Sequence, residues 1–271
     1  MTLFNEASIK VQGKDIFYLD TGGSGEKSAM LYIHGLACAS TDCKHIADHF
    51  SDNYRVISIS YLGTGKSDKP LDFSYTIEDQ AKVVNGFVDA MKLNAVIVIA
   101  HSYGGGIAQS AIAQGPEKYQ TLILLSSIGE IQHHIHNKML VMSYVFHYFM
   151  KIPFINPILR RAGISFCKKN GISDKVFGDR TENHALLESI KRISFKDLAL
   201  NVVDLKIPIL YISCPDDKIV QKEVRDAMKK RINDFTTVEL EGKSHFVFKT
   251  HIEEVNSHIE SYLSNQNNVI E

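Results

Sequence analysis

The chain has 271 residues, of which 44% are hydrophobic and 23% are charged, so it can bury a large core and is expected to form one large domain with an insertion. Its 30 basic and 31 acidic residues give a formal charge of -1, and no long run of one sign occurs. This balance argues against nucleic-acid binding through a basic surface.

Residues 1–10 lack the basic segment followed by an apolar one that secretion signals have, so we expect a cytoplasmic protein.

The first residues of the chain predict a pair of strands. Ser8–Val11 and Asp15–Leu19 alternate polar and apolar residues on either side of Gln12-Gly13. This pattern predicts a β-hairpin at the start of the fold.

Beyond the hairpin, strand patterns and helix patterns alternate along the chain. Apolar runs rich in β-branched residues predict strands at Met30–Ile33, Arg55–Ser60, Ala95–Ala100, Thr121–Leu125, Pro208–Ile212 and Phe235–Leu240. Helical patterns between and after them lie at Asp42–Phe50, Thr76–Met91, Ile107–Ala113, Lys222–Arg231 and Ile252–Leu263. This alternation predicts an α/β fold with a mostly parallel central sheet flanked by helices.

An inserted helical cap is predicted in the middle of the chain. The strand pattern is absent from residues 129–204, so we assign 1–128 and 205–271 to a core and 129–204 to the cap. The most apolar part of the cap, Met139–Met150, is too short to span a bilayer, and no stable membrane insertion is expected.

The apolar cap segment has two compatible interpretations. Its aromatic and methionine side chains are typical of helices that pack on each other and on a core. They are also typical of a lid over an apolar pocket, in which Tyr144 and Phe146 are the predicted substrate contacts. A role at a membrane surface is a third interpretation.

The most informative segment is Ala100-His101-Ser102-Tyr103-Gly104-Gly105, which lies between a predicted strand and a predicted helix. A serine on such a tight turn has its hydroxyl pushed clear of the backbone, because small residues two positions before and after it let the chain bend. Ala100 stands where the usual G-x-S-x-G pattern has glycine, and it is small enough for the turn. The segment therefore predicts a nucleophile elbow.

Two later loops supply the groups that a nucleophilic serine needs. Serine is a weak nucleophile at neutral pH, so it requires a base, which an acid in turn orients. The strand Pro208–Ile212 leads into Asp216 and Asp217, and the strand Phe235–Leu240 leads into a loop that carries His245. Either aspartate could orient the histidine.

With these residues in the order Ser, Asp, His, the chain resembles the α/β-hydrolase fold superfamily, as a serine hydrolase with a helical cap. The resemblance covers nearly the whole length except the cap. Besides the elbow it rests on Ile33-His34-Gly35-Leu36, Leu62-Gly63-Thr64-Gly65-Lys66-Ser67-Asp68, Asp216-Asp217-Lys218-Ile219-Val220 and Gly242-Lys243-Ser244-His245. Ser60 stands where many members have aspartate, and Ser244 stands where they have a second glycine.

The resemblance implies a role for each matched position. Ser102 would be the nucleophile, His245 the general base and acid, and Asp217, by its motif position, the carboxylate that holds the histidine. The backbone amides of Leu36 and Tyr103 would form the oxyanion hole. One donor of this kind typically contributes on the order of 3 kcal/mol to transition-state stabilisation.

Other polar residues near these motifs have both a functional and a structural interpretation. His34 and His101 are predicted to border the substrate site. The structural alternative gives His34 a hydrogen-bonding role in the oxyanion loop and places His101 behind the elbow. Cys38 and Cys43 flank the same loop, but no histidine-bearing motif marks either of them, so they are expected to be inert reduced thiols.

The predicted activity uses no metal and no organic cofactor. His133, His134 and His136 invite a metal interpretation, but no acid or cysteine set with ligand spacing accompanies them. The expected partner is a small-molecule substrate, and the sequence makes no prediction of the oligomeric state.

The favoured reaction is hydrolysis of a carboxylic ester of a small to medium apolar substrate through an acyl-enzyme. The serine at position 102 argues against the branches of the superfamily that use a carboxylate nucleophile, such as epoxide hydrolases and haloalkane dehalogenases. A carbon–carbon hydrolase of ring-cleavage products, a thioesterase and a lactonase stay open, because they would share the same elbow and cap. A ligand receptor on a hydrolase fold is a further alternative.

Overall fold

One sheet organises the computed structural model, which describes residues 2–23, 27–129, 145, 148–149, 152, 154–169, 184–190, 205–220, 222–232 and 234–267. The strands found in these ranges are β1 (Asn5–Val11), β2 (Lys14–Asp20), β3 (Ala29–Ile33), β4 (Arg55–Ile59), β5 (Val96–His101), β6 (Tyr119–Leu125), β7 (Ile209–Ser213) and β8 (Phe235–Glu239). They lie in the order β1-β2-β4-β3-β5-β6-β7-β8. β2 pairs antiparallel with β1 and β4, and the other pairs are parallel.

The predicted N-terminal hairpin is confirmed. Ile9 lies opposite Ile16 in the antiparallel register of β1 and β2. The two turn residues, Gln12 and Gly13, have φ angles of 51° and 78°. Two successive positive φ angles are typical of the tight turns whose twist matches that of the flanking strands.

The central strands are buried on both faces, which is why their sequences are almost wholly apolar. Every residue of β5 is buried. Val96, Val98 and Ala100 contribute to one hydrophobic core, whereas Ile97 and Ile99 contribute to another. Because successive side chains of a strand point to opposite faces, the sheet separates these two cores.

Helices cover both faces of the sheet. The helices in the described ranges include α1 (Lys44–Phe50), α2 (Ile77–Ala90), α3 (Tyr103–Gln114), α4 (Asn156–Lys169), α5 (Lys222–Arg231), α6 (Val247–Thr250) and α7 (Ile252–Asn267), and of these α4 lies in the predicted cap. α2 and α3 bury Phe87 and Ile107 in the first core, and α1 and α7 bury Ile46 and Ile259 in the second. The predicted fold class, a mostly parallel sheet flanked by helices, is confirmed.

Small differences from the predicted boundaries have local causes. Ala95 has a φ of 48°, which is not an extended conformation, so β5 begins one residue later, at Val96. The helix predicted at Asp42–Phe50 is preceded by a 3-10 turn, Ser40–Cys43, and becomes α-helical only at Lys44.

The predicted cap, residues 129–204, lies largely outside the described residues. Its described parts include α4 and the helical residues 184–190, where Ala185, Leu187 and Ile190 are buried. The division into core and cap therefore stays a prediction. In the ranges that the structure describes, no helix has the length and apolar character that crossing a membrane requires. The cytoplasmic location stays a prediction.

Candidate active site

Ser102 lies on a sharp turn between the end of β5 and the start of α3. Its backbone has a φ of 50° and a ψ of -119°, which is an unusual conformation for a residue with a side chain. Such a conformation costs about 1–3 kcal/mol and persists only where the surrounding structure enforces it. The strand before the serine and the helix after it are those of the predicted nucleophile elbow.

Glycines in the first turn of α3 make this geometry possible. A Cβ atom on Gly104 would lie 2.4 Å from the carbonyl oxygens of Ile33 and His34. A Cβ atom on Gly105 would lie 1.7 Å from Oγ of Ser127. Because neither position has a side chain, α3 packs directly against the chain that leaves β3 and β6.

Backbone hydrogen bonds hold the elbow against the neighbouring strand. The amide of Ser102 donates to the carbonyl of Leu125 at 3.1 Å, and its carbonyl accepts from the amide of Ile128 at 3.2 Å. From β7, the hydroxyl of Tyr211 donates to the carbonyl of Ser127 at 2.7 Å. This support is not predictable from the sequence, since no motif marks residues that act only on backbone groups.

Hydrogen bonds connect Ser102, His245 and Asp217 in one chain. Nε2 of His245 lies 3.0 Å from Oγ of Ser102, and Nδ1 of His245 lies 2.8 Å from Oδ2 of Asp217. The other oxygen of this carboxylate accepts from the amides of Ile219 and Val220, at 2.8 and 3.2 Å. The carboxylate is therefore held so that it accepts the Nδ1 proton of His245, which leaves Nε2 to accept the proton of the serine hydroxyl.

Burial distinguishes the two adjacent aspartates. The side chain of Asp217 is 1% exposed and that of His245 is 8% exposed, whereas Asp216 is exposed. Their loops follow β7 and β8, at the carboxyl end of the sheet where β5 leads into the elbow. Parallel sheets place their sites at this end.

The turn after β3 lies beside the elbow and carries one of the predicted oxyanion donors. A Cβ atom on Gly35 would be 3.2 Å from Cβ of Ser102, so the two backbones are adjacent. The amide of Cys38 donates to the carbonyl of Gly35 at 3.2 Å and closes the turn. Within the described ranges, the amides of Leu36 and Tyr103 donate to no protein acceptor. Both amides are thus available to a ligand oxygen, and the Tyr103 amide is also at a helix N-terminus.

A comparison with known protein families supports this architecture. Residues 28–173 match the family described as the alpha/beta hydrolase fold. The chain belongs to the α/β-hydrolase family. A curated relative is the uncharacterized hydrolase YugF of Bacillus subtilis (strain 168), which is 22% identical over 93% of this chain and 96% of its own length. For other curated relatives, the match covers a smaller part of the relative's own length, for example 28% of one and 38% of another.

Solved structures with the same fold superpose over almost the whole chain. An esterase, EaEST from Exiguobacterium antarcticum, has a TM-score of 0.77 and 19% identity, covering 95% of this chain and 98% of that one. The haloalkane dehalogenase DbeA from Bradyrhizobium elkani USDA94 has a TM-score of 0.79 and 16% identity, covering 98% and 99%. Proteins with different reactions share this fold, so the reaction has to be argued from the site.

His34 of the hydrolase is wholly buried in the turn after β3. Its Nδ1 lies 2.8 Å from the carbonyl oxygen of Gly35, and its Nε2 lies 3.3 Å from Oγ1 of Thr64. Its ring stacks on that of Tyr61 with the centroids 4.5 Å apart. Burial lowers the pKa of His34, so the ring is neutral and Nδ1 is the donor to the carbonyl. These contacts are those of the structural alternative, and a contact with substrate stays a prediction.

His101 is buried behind the elbow. Its Nε2 lies 3.0 Å from the backbone carbonyl oxygen of His245 and donates to it. Its ring packs against Phe246 and Phe248, with centroid distances of 5.5 and 4.7 Å. Burial lowers the pKa of His101 well below its usual value, and the nearby His245 acts in the same direction. The described contacts again match the structural alternative, and they join the elbow to the loop that carries the base.

The thiols near the site are unsuited to nucleophilic attack. Burial raises the pKa of Cys43 to about 12 and raises that of Cys38 further. A thiol that stays protonated at neutral pH is a poor nucleophile. These pKa shifts favour the interpretation as inert thiols over a catalytic one.

Several predicted positions are not part of the described ranges. These are the cap residues predicted to contact substrate, Tyr144 and Phe146, and the three histidines weighed as metal ligands, His133, His134 and His136. Among the residues that the structure does describe, no group of three or more histidine, cysteine, aspartate or glutamate side chains could hold a metal ion.

Proposed function

We propose that this protein is a serine hydrolase that cleaves carboxylic esters of small to medium apolar substrates through an acyl-enzyme. The observation that carries the proposal is the buried chain of hydrogen bonds from Ser102 through His245 to Asp217, with bonds of 3.0 and 2.8 Å. A nucleophile, a base within hydrogen-bond distance and a group that orients the base are what acyl transfer requires.

In the first half of the proposed reaction, Oγ of Ser102 attacks the ester carbonyl carbon while Nε2 of His245 takes the hydroxyl proton. Asp217 stabilises the imidazolium that forms. The amides of Leu36 and Tyr103 donate to the negatively charged oxygen of the tetrahedral intermediate. His245 then returns the proton to the departing alkoxide, the carbon–oxygen bond breaks and the acyl group remains on Ser102.

In the second half, water replaces the alcohol. Nε2 of His245 takes a proton from water as the water oxygen attacks the acyl carbon of the acyl-serine. The second tetrahedral intermediate uses the same amide donors. When it collapses, Ser102 regains its proton from His245 and the carboxylic acid leaves.

The identity of the nucleophile favours ester cleavage over the reactions of the dehalogenase and epoxide hydrolase branches. Those branches use a carboxylate as the nucleophile, and this chain has a serine at the elbow. The apolar composition of Met139–Met150 supports an apolar substrate, with Tyr144 and Phe146 as proposed contacts.

The proposal is tested with a series of 4-nitrophenyl esters of increasing acyl chain length, using the wild type, Ser102→Ala and a control, Ser110→Ala. Ser110 is a buried serine of α3 whose hydroxyl bonds Gln114, away from His245. We expect Ser102→Ala to lower kcat by at least about 10⁴-fold, because removal of a nucleophile abolishes the covalent route. Ser110→Ala should retain activity.

Mass spectrometry of the intact protein supplies the second readout. We expect an acyl adduct in the wild type that is absent from Ser102→Ala. Turnover that survives in Ser102→Ala would contradict a serine mechanism. Turnover of thioesters, lactones or ring-cleavage products, with none of the simple esters, would replace the ester proposal by one of those bond types.

A further inference from the structure

One backbone carbonyl in the turn after β3 receives an unusual number of hydrogen bonds. The carbonyl oxygen of Gly35 lies 3.2 Å from the amide of Cys38, 2.8 Å from Nδ1 of His34 and 3.2 Å from the hydroxyl oxygen of Tyr61. The hydroxyl can only donate to this oxygen. Three donors from different parts of the turn and its surroundings therefore converge on one acceptor.

The orientation of this carbonyl determines where the Leu36 amide points. The peptide bond between Gly35 and Leu36 is planar, and no cis peptide bond occurs among the described residues. In a trans peptide the C=O and N–H bonds point in opposite directions. Donors that hold the Gly35 oxygen on one side of the chain therefore hold the Leu36 N–H on the opposite side, and that N–H has no acceptor among the described residues.

The turn needs this support because its own sequence does not favour its conformation. Ala37 has a φ of 61°, a left-handed conformation that costs a residue with a side chain roughly 1–2 kcal/mol. A turn with glycine at this position would have no such cost. The surrounding contacts, including those on the Gly35 carbonyl, must therefore keep the turn that contains Ala37 in place.

We propose that Tyr61 is a positioning residue for the oxyanion hole, since its hydroxyl fixes the Gly35–Leu36 peptide so that the Leu36 amide faces the reacting oxygen. This inference rests on the proposed function. Tyr61 lies one residue before Leu62-Gly63-Thr64-Gly65-Lys66-Ser67-Asp68, and nothing in that motif marks it.

The surroundings of Tyr61 suit this role. Its side chain is almost fully buried, so water does not compete for the hydrogen bond. Its ring stacks on His34 at 4.5 Å and lies 6.0 Å from the ring of Tyr103, the residue that provides the other predicted oxyanion donor. Burial raises the pKa of Tyr61, so the hydroxyl keeps its proton and remains a donor in the neutral range.

Tyr61→Phe tests the inference because it removes one oxygen and keeps the stacked ring. The Gly35 carbonyl retains two donors for its two lone pairs, so the change leaves no buried acceptor without a partner. Tyr32→Phe is the matched control. Tyr32 is also buried and lies on β3, and its hydroxyl has no hydrogen-bond partner among the described residues.

The kinetic readout separates orientation of the amide from general disturbance of the site. Loss of a whole oxyanion donor costs about 10²–10³ in kcat, so loosening one should cost about tenfold. We expect Tyr61→Phe to lower kcat about tenfold with KM within about twofold of the wild type. The affinity for a trifluoromethyl ketone with the same acyl group, which forms an oxyanion on Ser102, should fall by the same factor. Tyr32→Phe should change neither quantity.

A second readout is independent of turnover. Relaxation dispersion of the Leu36 amide nitrogen should show microsecond-to-millisecond exchange in Tyr61→Phe that is absent from the wild type and from Tyr32→Phe. Unchanged exchange together with unchanged kcat and ketone affinity would overturn the role of Tyr61. If the wild type cleaves none of the substrates but the exchange still appears, the proposed function fails while the hold of Tyr61 on the Leu36 peptide stands.

Discussion

The two sides of the elbow are held in place by different forces. On the donor side, which comprises residues 34–38 and Tyr61, neutral hydrogen bonds converge on the Gly35 carbonyl. On the base side, which comprises residues 241–250 and His101, the rings of Phe246 and Phe248 surround a buried imidazole. An ion pair of 3.0 Å between Lys249 and Asp42 links the base side to the residues just after the donor side.

The two sides differ because each has to control a different aspect of geometry. An oxyanion donor is useful only when its N–H points at the reacting oxygen, and directional hydrogen bonds on the same peptide set that angle. A base has to sit at the right distance from the nucleophile, which packing of rigid rings around its loop can set. Each side holds a histidine whose pKa is lowered by burial, His34 on the donor side and His101 on the base side, so both sides contribute to the pH dependence of stability.

Asp217→Asn should cause the largest loss of kcat, because it disturbs the orientation of His245 on the base side. Asparagine can present its amide nitrogen to His245 and favour the wrong imidazole tautomer, and a change of this kind in a serine protease lowers kcat about 10⁴-fold. We expect a loss of that order in kcat at neutral pH with the same ester, and a small change in KM. The control is Asp216→Asn, which alters an exposed neighbour. Equal losses in the two variants would contradict the assignment of Asp217.

Gly104→Ala should displace α3 from the donor side, because α3 contacts the chain that leaves β3 at this glycine. The added Cβ would lie 2.4 Å from two carbonyl oxygens, those of Ile33 and His34, so α3 has to move away. This separates the amides of Tyr103 and Leu36. We expect a loss of about 1–3 kcal/mol in the free energy of unfolding, measured in urea, and about a 10²-fold loss in kcat.

The control for this variant is Gly115→Ala at the other end of α3. A Cβ atom on Gly115 would meet its nearest neighbours at 3.4 to 3.5 Å, which is ordinary contact. We expect a much smaller loss of stability and unchanged kcat. A Gly104→Ala variant that behaves like Gly115→Ala would show that the approach of α3 to β3 has no role in placing the two amides.

The strands and the order of the chemical groups could be predicted because their signals are local. A strand buried on both faces is a continuous apolar run, as in Val96–His101, and a tight turn needs small residues near its serine. The helix α3 begins at Tyr103, four residues before the predicted start at Ile107, because glycines at positions 104 to 106 do not resemble a helix N-terminus. Their close contacts explain them: Gly104 approaches the end of β3, and Gly105 and Gly106 approach residues at and just after the end of β6.

The supports of the site could not be predicted because they join distant parts of the chain. Tyr61 bonds a carbonyl 26 residues earlier, and Tyr211 bonds one 84 residues earlier. No sequence spacing predicts these two hydrogen bonds, since it is the order of strands in the sheet that brings the tyrosine hydroxyls to the carbonyls. For the same reason, the sequence left Asp216 and Asp217 equivalent on chemical grounds, whereas burial and hydrogen bonding distinguish them.

His101→Phe should have a smaller effect on the base side. It keeps an aromatic ring among Phe246 and Phe248 but removes the donor to the His245 carbonyl, which then has one hydrogen bond fewer. We expect kcat to fall about tenfold, because the base is held less firmly, and the protein to lose about 1–2 kcal/mol of stability at pH 7.5. Steady-state kinetics and urea unfolding measure the two.

The same variant tests whether the base side carries a pH dependence. Burial keeps the pKa of His101 well below its ordinary value of 6.5, so below that pH the unfolded chain binds a proton that the folded protein does not. Stability is therefore fully present above about pH 6.5 and is lost as the pH falls. One such histidine lowers the free energy of unfolding by about 1.4 kcal/mol when the pH falls from 7.5 to 5.5. Between pH 7.5 and 5.5, the free energy of unfolding of His101→Phe should fall by about 1.4 kcal/mol less than that of the wild type. In Tyr61→Phe, a change on the donor side, it should fall by as much as in the wild type. Equal losses in all three proteins would mean that His101 charges freely in the folded state.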